Sequence, residues 1–212
     1  MSSGFVMANI GIDCPASFIG ASSSNTWHIP LDKHGDIFPA LEEYFQDPLK
    51  KDCPISAFIS FPSLKDITHK DKEKTSCQIL IMAEYDWFVP FVNKKDNANG
   101  NNGYEMKDSA DRKEGYDAVK EMWKERCVAI FLKYFPKAAE HIAMVDISTP
   151  LTIQHYLKAP HGGAVGLDVT PERFTNKVIR ENLDPISKIP GLALTGQDVA
   201  LCGVTLCQVI NN

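Results

Sequence analysis

The sequence predicts a mixed α/β fold, because strand-like and helix-like patterns both occur along one chain. Two runs of β-branched and aromatic residues, 55–61 and 77–85, are each bounded by turn residues and predict neighbouring strands of one sheet. Apolar side chains recur every three or four positions across 116–135, which predicts a long helix. A length of 212 residues with 44% hydrophobic residues is enough to bury a core.

The first half of the chain begins with an apolar run at 5–12, which predicts a strand, and a shorter extended piece follows at 25–30. Residues 36–45 place apolar side chains at helical spacing, and Asp47, which precedes a proline, ends this predicted helix. Between 93 and 115 the composition changes to Asn, Gly, Lys and Asp, so we expect a mobile surface loop there.

The second half continues with a predicted strand at 142–147 and a helix at 150–156, for which Thr149 is the predicted cap. A turn at 160–163 follows, in which two glycines permit close approach of the backbone to a flat ring. A last strand is predicted at 192–195 and a last helix at 199–210.

The turn between these last two elements has the composition of a ligand site. Gly196 lets the backbone approach another group closely, and Asp198 stands where the final helix would begin. Free N–H groups at a helix start suit a phosphate or a sugar-alcohol chain, and a carboxylate beside them accepts hydrogen bonds from hydroxyl groups. An ordinary helix-capping aspartate has the same pattern, so both interpretations stay open at this point.

The net charge of −5 disfavours nucleic acid as a partner, because phosphate binding needs a basic face and no cluster of Lys and Arg compensates. No apolar run approaches the roughly 20 residues that a membrane span needs. Residues 1–9 also lack the basic and apolar segments of a signal peptide.

The six cysteines contain no Cys-x-x-Cys pair, so we interpret them as small buried thiols rather than as zinc ligands or disulfides. The histidines show no pairing at the helical spacing of metalloproteases, and no Gly-x-Ser-x-Gly motif of a serine hydrolase occurs. The sequence therefore predicts no metal site, and it names no catalytic acid or base.

Several segments of the chain occur in the order and spacing of one enzyme family. They are 25–30, 59–66, 82–88, 148–152, 156–167, Thr170-Pro171-Glu172-Arg173-Phe174 and Thr195-Gly196-Gln197-Asp198. Together they resemble the C-terminal part of the flavin-dependent retinol saturases, within the wider group of phytoene desaturases and carotenoid isomerases. The resemblance covers nearly the whole chain apart from the Asn-rich segment.

The resemblance implies an FAD-dependent oxidoreductase that saturates a double bond of a retinoid or carotenoid-type polyene, with NAD(P)H as the electron donor. It implies that 1–147 is a portion of the substrate-binding domain, with a mixed sheet and helices. Residues 148–212 would then be a flavin-proximal segment ending in the strand, turn and helix of an FAD-binding Rossmann-like domain. The Gly-x-Gly-x-x-Gly turn that opens such enzymes does not occur in the sequence. We therefore expect the chain to be the C-terminal part of a longer enzyme and inactive alone.

The same resemblance implies specific contacts. The implied cofactor-binding residues are Gly196, Gln197, Asp198, Gly203, His161 and Gly162, and the implied substrate contact is Tyr156. His161 departs from the family pattern, in which a basic residue commonly stands at its position. A histidine can still donate a hydrogen bond to a flavin carbonyl.

Two alternatives stay open. A carotenoid cis–trans isomerase or desaturase would share the flavin site and differ in substrate and electron flow. A non-catalytic fragment that binds a hydrophobic ligand would account for the missing glycine fingerprint.

The long predicted helix has one face of apolar and aromatic side chains. We interpret the aromatic stripe of 116–135 as core packing rather than as a wall of a ligand pocket.

The resemblance implies an intracellular protein at the membrane of the endoplasmic reticulum or a plastid. The sequence contains no strong basic amphipathic helix that would attach the chain to that membrane.

Overall fold

A five-stranded antiparallel sheet organises the chain in a computed structural model, which describes residues 3–50, 52–68, 72–91 and 115–199. The strands are β1 (Gly4–Ile12), β2 (Thr26–His28), β3 (Ala57–Ser60), β4 (Thr75–Ala83) and β5 (Ile142–Ser148). Their order across the sheet is β2-β3-β4-β1-β5, and every neighbouring pair is antiparallel. This arrangement confirms the predicted mixed α/β class and the predicted pairing of 55–61 with 77–85. The sheet itself is not mixed as predicted, because every described strand pair is antiparallel.

One face of the sheet forms the core. Burial alternates strictly along β1, where Val6, Ala8, Ile10 and Ile12 are buried, because successive side chains of a strand point to opposite faces. The pairing of Val6 with Ile81 brings the buried positions of β1 and β4 side by side. The apolar runs that predicted these two strands in the sequence therefore contribute to one buried surface.

Six helices accompany the sheet in the described ranges of the chain. They are α1 (Ala16–Ile19), α2 (Phe38–Gln46), α3 (Tyr116–Tyr134), α4 (Pro150–Leu157), α5 (Pro171–Thr175) and α6 (Lys177–Asn182). Short 3-10 turns lie at Pro62–Leu64, Tyr85–Trp87, Val89–Phe91, Pro136–His141 and Pro160–Gly162. The predicted helices at 36–45, 116–135 and 150–156 are confirmed by α2, α3 and α4.

Helix α3 packs its aromatic stripe into the core. Its side chains Tyr116, Trp123, Cys127 and Phe131 are almost completely buried. Burying one large apolar side chain contributes roughly 1.5–3 kcal/mol, so this stripe is a major part of the stabilisation. The interpretation of the stripe as core packing is thus confirmed.

Helix α4 is fixed at its start by Thr149. The N–H of Thr149 donates to Oγ1 of Thr152 at 3.1 Å, which is one half of a capping box. Oγ1 of Thr149 also shares a hydrogen bond of 2.8 Å with the hydroxyl group of Tyr116 on α3, and both residues are buried. The predicted cap therefore also joins α4 to the long helix.

The predicted buried strand at 192–195 is wrong. Leu192 is 47% exposed, and the segment makes one isolated antiparallel bridge, between Ile186 and Ala193. The N–H of Leu194 donates to the carbonyl oxygen of Pro185 at 2.8 Å, so the run folds back on its own preceding loop. Three apolar residues between glycines bury too little area to hold a strand in the sheet.

Some predictions lie outside the described residues. They are most of the loop at 93–115, the last helix from residue 200 onward, and Cys202, Cys207 and Gly203. The other four cysteines, Cys14, Cys53, Cys77 and Cys127, are free and buried, which agrees with their interpretation as structural thiols. The division at residue 147 stays a prediction.

We expect Thr149→Ala to lower the free energy of unfolding by about 1–3 kcal/mol, because it removes the hydrogen bond to Tyr116 along with the cap hydroxyl. Chemical denaturation monitored by circular dichroism measures this loss. Thr149→Ser keeps the hydroxyl group and should retain most of the stability. Equal losses in the two variants would contradict the assigned role.

We expect the thiols of Cys77 and Cys127 to resist alkylation in the native chain. Burial raises the pKa of each thiol to about 12, so the reactive thiolate is scarce at pH 8. Alkylation with iodoacetamide at pH 8, read by peptide mass spectrometry, should label both residues only after unfolding. Rapid native labelling of either residue would refute this packing.

Candidate functional site

The turn at Pro160–Gly162 is packed tightly onto the sheet. Gly162 is buried with φ of 61°, and a Cβ atom there would lie 2.2 Å from the carbonyl oxygen of Pro150. A Cβ atom on Gly4 would in turn lie 2.9 Å from the carbonyl oxygen of Gly162. The backbone at Gly162 therefore makes a close approach, as predicted. Among the described residues, the group that it approaches is the start of α4 rather than a flat ring.

His161 lies flat against an aromatic ring. Its imidazole stacks on Tyr85 with ring centroids 5.0 Å apart and an interplanar angle of 13°. Tyr85 is buried just after β4, whereas His161 is exposed and has a positive φ of 54°. The stack fixes the orientation of the imidazole and leaves its other face toward solvent.

Arg173 connects the predicted cofactor turn to the loop after Gly166. It is only 5% exposed, and its guanidinium donates to the carbonyl oxygens of Leu167 at 3.0 Å, Gln197 at 3.1 Å and Asp198 at 2.9 Å. Sequence reasoning missed this residue, because an arginine on a short charged helix has the pattern of a solvated side chain.

Asp198 also contacts this loop. Its Oδ1 accepts the N–H of Leu167 at 2.6 Å, and a Cβ atom on Gly166 would lie 2.0 Å from that oxygen. The described carboxylate contact thus joins two segments 31 residues apart in sequence. A carboxylate has about four lone-pair positions, so it keeps capacity for hydroxyl groups of a ligand.

The donor set of this turn fits a polar, anionic cofactor. Nε of Arg173 is buried and has no hydrogen-bond partner among the described residues. Gly196 has φ of 117°, and a Cβ atom there would meet no described atom within 4 Å. A buried guanidinium N–H group, a carboxylate and an open glycine backbone suit phosphate and sugar hydroxyl groups.

Tyr156 is not brought into this arrangement. Tyr156 is 75% exposed on α4 and makes an edge contact with His155 at 4.7 Å between ring centroids. Its assignment as a substrate contact stays a prediction. Gly203 lies outside the described residues.

An apolar cavity lies on the face of the sheet opposite the core. Its volume is about 420 Å³, and it is lined by Phe5, Trp27, Ser56, Ala57, Phe58, Leu80 and Met82. Trp27 and Met82 are 67% and 47% exposed, so the described part of the chain leaves this face open. Sequence reasoning missed the cavity, although strands with apolar residues on both faces are a signal of a sheet covered on both sides.

Strand register arranges the cavity in rows. Trp27 pairs with Phe58, Phe58 pairs with Leu80, and Phe5 pairs with Met82. A polar row follows where Nε2 of Gln78 donates to Oδ1 of Asn9 at 3.0 Å. The outer face is therefore apolar at one end and polar at the other.

No group of three metal-ligating side chains is present within the described ranges. His28 instead hydrogen-bonds the hydroxyl group of Tyr134 at 2.9 Å, and burial lowers the pKa of this imidazole. The helices in the described part of the chain are all too short or too polar to cross a bilayer.

Comparison with known proteins finds relatives that share one name. The chain is 32% identical over 174 residues to an all-trans-retinol 13,14-reductase of Macaca fascicularis, which covers 80% of this chain. It is 30% identical over 199 residues, or 92% of this chain, to the protein of the same name from Danio rerio. This chain is related to the all-trans-retinol 13,14-reductases. The human reductase is 30% identical over 174 residues.

The relationship confirms the resemblance to the retinol saturases. The chain spans only about a quarter to a third of the length of these reductases, 26% of the Macaca fascicularis protein and 30% of the Danio rerio protein. No family model matches the chain.

We expect Arg173→Gln to raise hydrogen exchange at the amides of Leu167 and Val199 by about tenfold, because loss of the three carbonyl contacts frees the turn that holds their hydrogen bonds. Exchange read by mass spectrometry should show the sheet unchanged. Arg180→Gln on the exposed face of α6 is the matched control. Equal exchange in the two variants would show that Arg173 does not hold the turn.

We expect Gly162→Ala to destabilise the fold by about 2–4 kcal/mol, since it adds a clash with Pro150 to the strain of a positive φ. Gly191→Ala has φ of 80° but no described atom within 4 Å, and should cost about 1 kcal/mol. Thermal unfolding compares the two. A smaller loss at Gly162 would refute the close contact.

Proposed function

We propose that this chain forms the substrate-binding part, and a portion of the flavin site, of an FAD-dependent reductase that saturates a double bond of a retinoid. The relationship to all-trans-retinol 13,14-reductases supports the reaction. The observation that carries the proposal is the apolar cavity on the outer face of the sheet, because a retinoid is a long conjugated hydrocarbon.

The cavity suits such a substrate in size and chemistry. Its volume of about 420 Å³ lies within the range of about 300–1,000 Å³ that is usual for small-molecule sites. Apolar area removed from water contributes roughly 25 cal/mol per Å². Aromatic walls at Trp27 and Phe58 also offer flat surfaces for stacking against a polyene.

The turn around Asp198 supports the FAD part of the proposal. Gly196, Gln197 and Asp198 would hold the ribityl and phosphate groups, with Arg173 contributing its buried N–H. His161, stacked on Tyr85, would lie near the isoalloxazine ring. FAD when bound supplies hydride transfer, and NAD(P)H would supply the electrons.

The residues of this chain would orient the substrate and exclude water from it. The apolar walls at Phe58, Leu80 and Met82 would fix the plane of the polyene. Closing a reaction site from water also prevents loss of hydride to side reactions. We assign no side chain of this chain as the proton donor.

Two rival functions make different use of the same cavity. A carotenoid isomerase or desaturase would bind a longer polyene without saturating it, and the names of the relatives favour the reductase. A non-catalytic protein would use the cavity only to bind an apolar ligand.

We propose that the substrate reaches the protein from a membrane surface, because retinoids dissolve there.

The test is a chimera in which this chain replaces the matching segment of the Danio rerio reductase. We expect the purified chimera to retain the visible absorbance of FAD and to convert all-trans-retinol into a product two mass units heavier. Asp198→Ala in the chimera should lower flavin content, and Asp184→Ala on an exposed loop is the control. A folded chimera without flavin would overturn the cofactor proposal. Flavin without saturated product would favour the isomerase or binding function.

A further inference from the structure

Ser56 carries the one hydroxyl group among the described residues that line the apolar cavity. It comes immediately before β3, on the same side of the strand as Phe58. Its Oγ is buried and has no hydrogen-bond partner among the described residues. A hydroxyl group therefore lies unpaired against an almost wholly apolar surface.

An unpaired buried hydroxyl group is unfavourable, because it loses its hydrogen bonds to water without replacement. The great majority of buried polar atoms in proteins have a partner. A water molecule is a poor partner here, since it needs two to four polar neighbours and Trp27 is the one other described lining side chain with a polar group. An apolar ligand that ends in a hydroxyl group would give Ser56 a hydrogen-bond partner and would place its apolar body against the apolar walls.

We propose that Ser56 binds the terminal hydroxyl group of a polyene alcohol and so fixes the direction in which the polyene lies. This proposal rests on the proposed function and adds a specificity-determining residue to it. A serine hydroxyl group donates one hydrogen bond and accepts others, so it pairs with an alcohol in either sense.

The register of the strands gives the direction. Ser56 immediately precedes β3, and the cavity continues from there across β4 at Met82 to β1 at Phe5. Neighbouring strands are about 4.8 Å apart, so this path is about 10 Å long. The alcohol end of the ligand lies at β3, and the polyene extends across β4 toward β1.

The test measures binding to the 212-residue chain of two ligands, all-trans-retinol and the same polyene with hydrogen in place of the hydroxyl group. Retinoids absorb where tryptophan emits, so quenching of Trp27 in the cavity reports occupancy, and Trp27→Phe checks the source of the signal. Ser56→Ala should weaken retinol binding about fivefold to tenfold. Binding of the hydrocarbon should change less than about twofold, because it makes no hydrogen bond.

A matched control is Ser76→Ala, which removes an exposed hydroxyl group from β4 on the same face but outside the cavity lining. It should leave both affinities unchanged. Ser56→Ala should leave the unfolding midpoint of the ligand-free chain unchanged or raise it, since it removes an unpaired buried oxygen. A lowered midpoint would show an internal partner for Ser56 and overturn the proposal.

The remaining outcomes separate this proposal from the proposed function. Equal loss for both ligands, or no loss for retinol, would overturn the role of Ser56 while leaving the cavity as the polyene site. Binding of neither ligand by the folded wild-type chain would overturn the placement of the substrate itself, and with it both proposals.

Discussion

Burial of one face of the sheet is the constraint on which the rest of the structure depends. The inward side chains of β1 and β4 meet the aromatic stripe of α3, and Tyr44 of α2 donates its hydroxyl hydrogen to the carbonyl oxygen of Met82 at 2.5 Å. Because side chains alternate, the same register that builds this core also sets Phe5, Phe58 and Leu80 in rows on the opposite face. Core and cavity are two consequences of one pairing.

The glycine-containing turns after β5 are held by backbone contacts rather than by apolar packing. Gly162 fits against Pro150, and Gly166 leaves room for the carboxylate of Asp198. Arg173 then joins three carbonyl oxygens through one guanidinium, whose rigid planar fork suits such a role better than a lysine would. A polar region organised in this way keeps the carboxylate of Asp198 at the surface.

The sequence was informative where apolar residues formed a continuous run or a helical stripe. The apolar run at 5–12, the β-branched run at 77–85 and the helical stripe of 116–135 predicted their elements, because each buries a continuous face. The strand at 192–195 failed, since its apolar residues find no partner strand among the described residues. The contacts of Arg173 could not be predicted, because they depend on loops that meet only after folding. The apolar strands indicated a second covered face, but the residues that line the cavity there depend on the order of the strands.

The strands that form the walls of the cavity differ in how many residues pair with their neighbours. Phe5, Leu80 and Met82 stand on β1 and β4, which are the longest strands and pair over nine residues, whereas Trp27 stands on β2, a three-residue strand at the edge of the sheet. Edge elements with few contacts fray at low cost in free energy, while central strands open only with the whole domain. The Trp27 wall of the cavity therefore rests on a strand that pairs over three residues, whereas the opposite wall rests on strands that pair over nine.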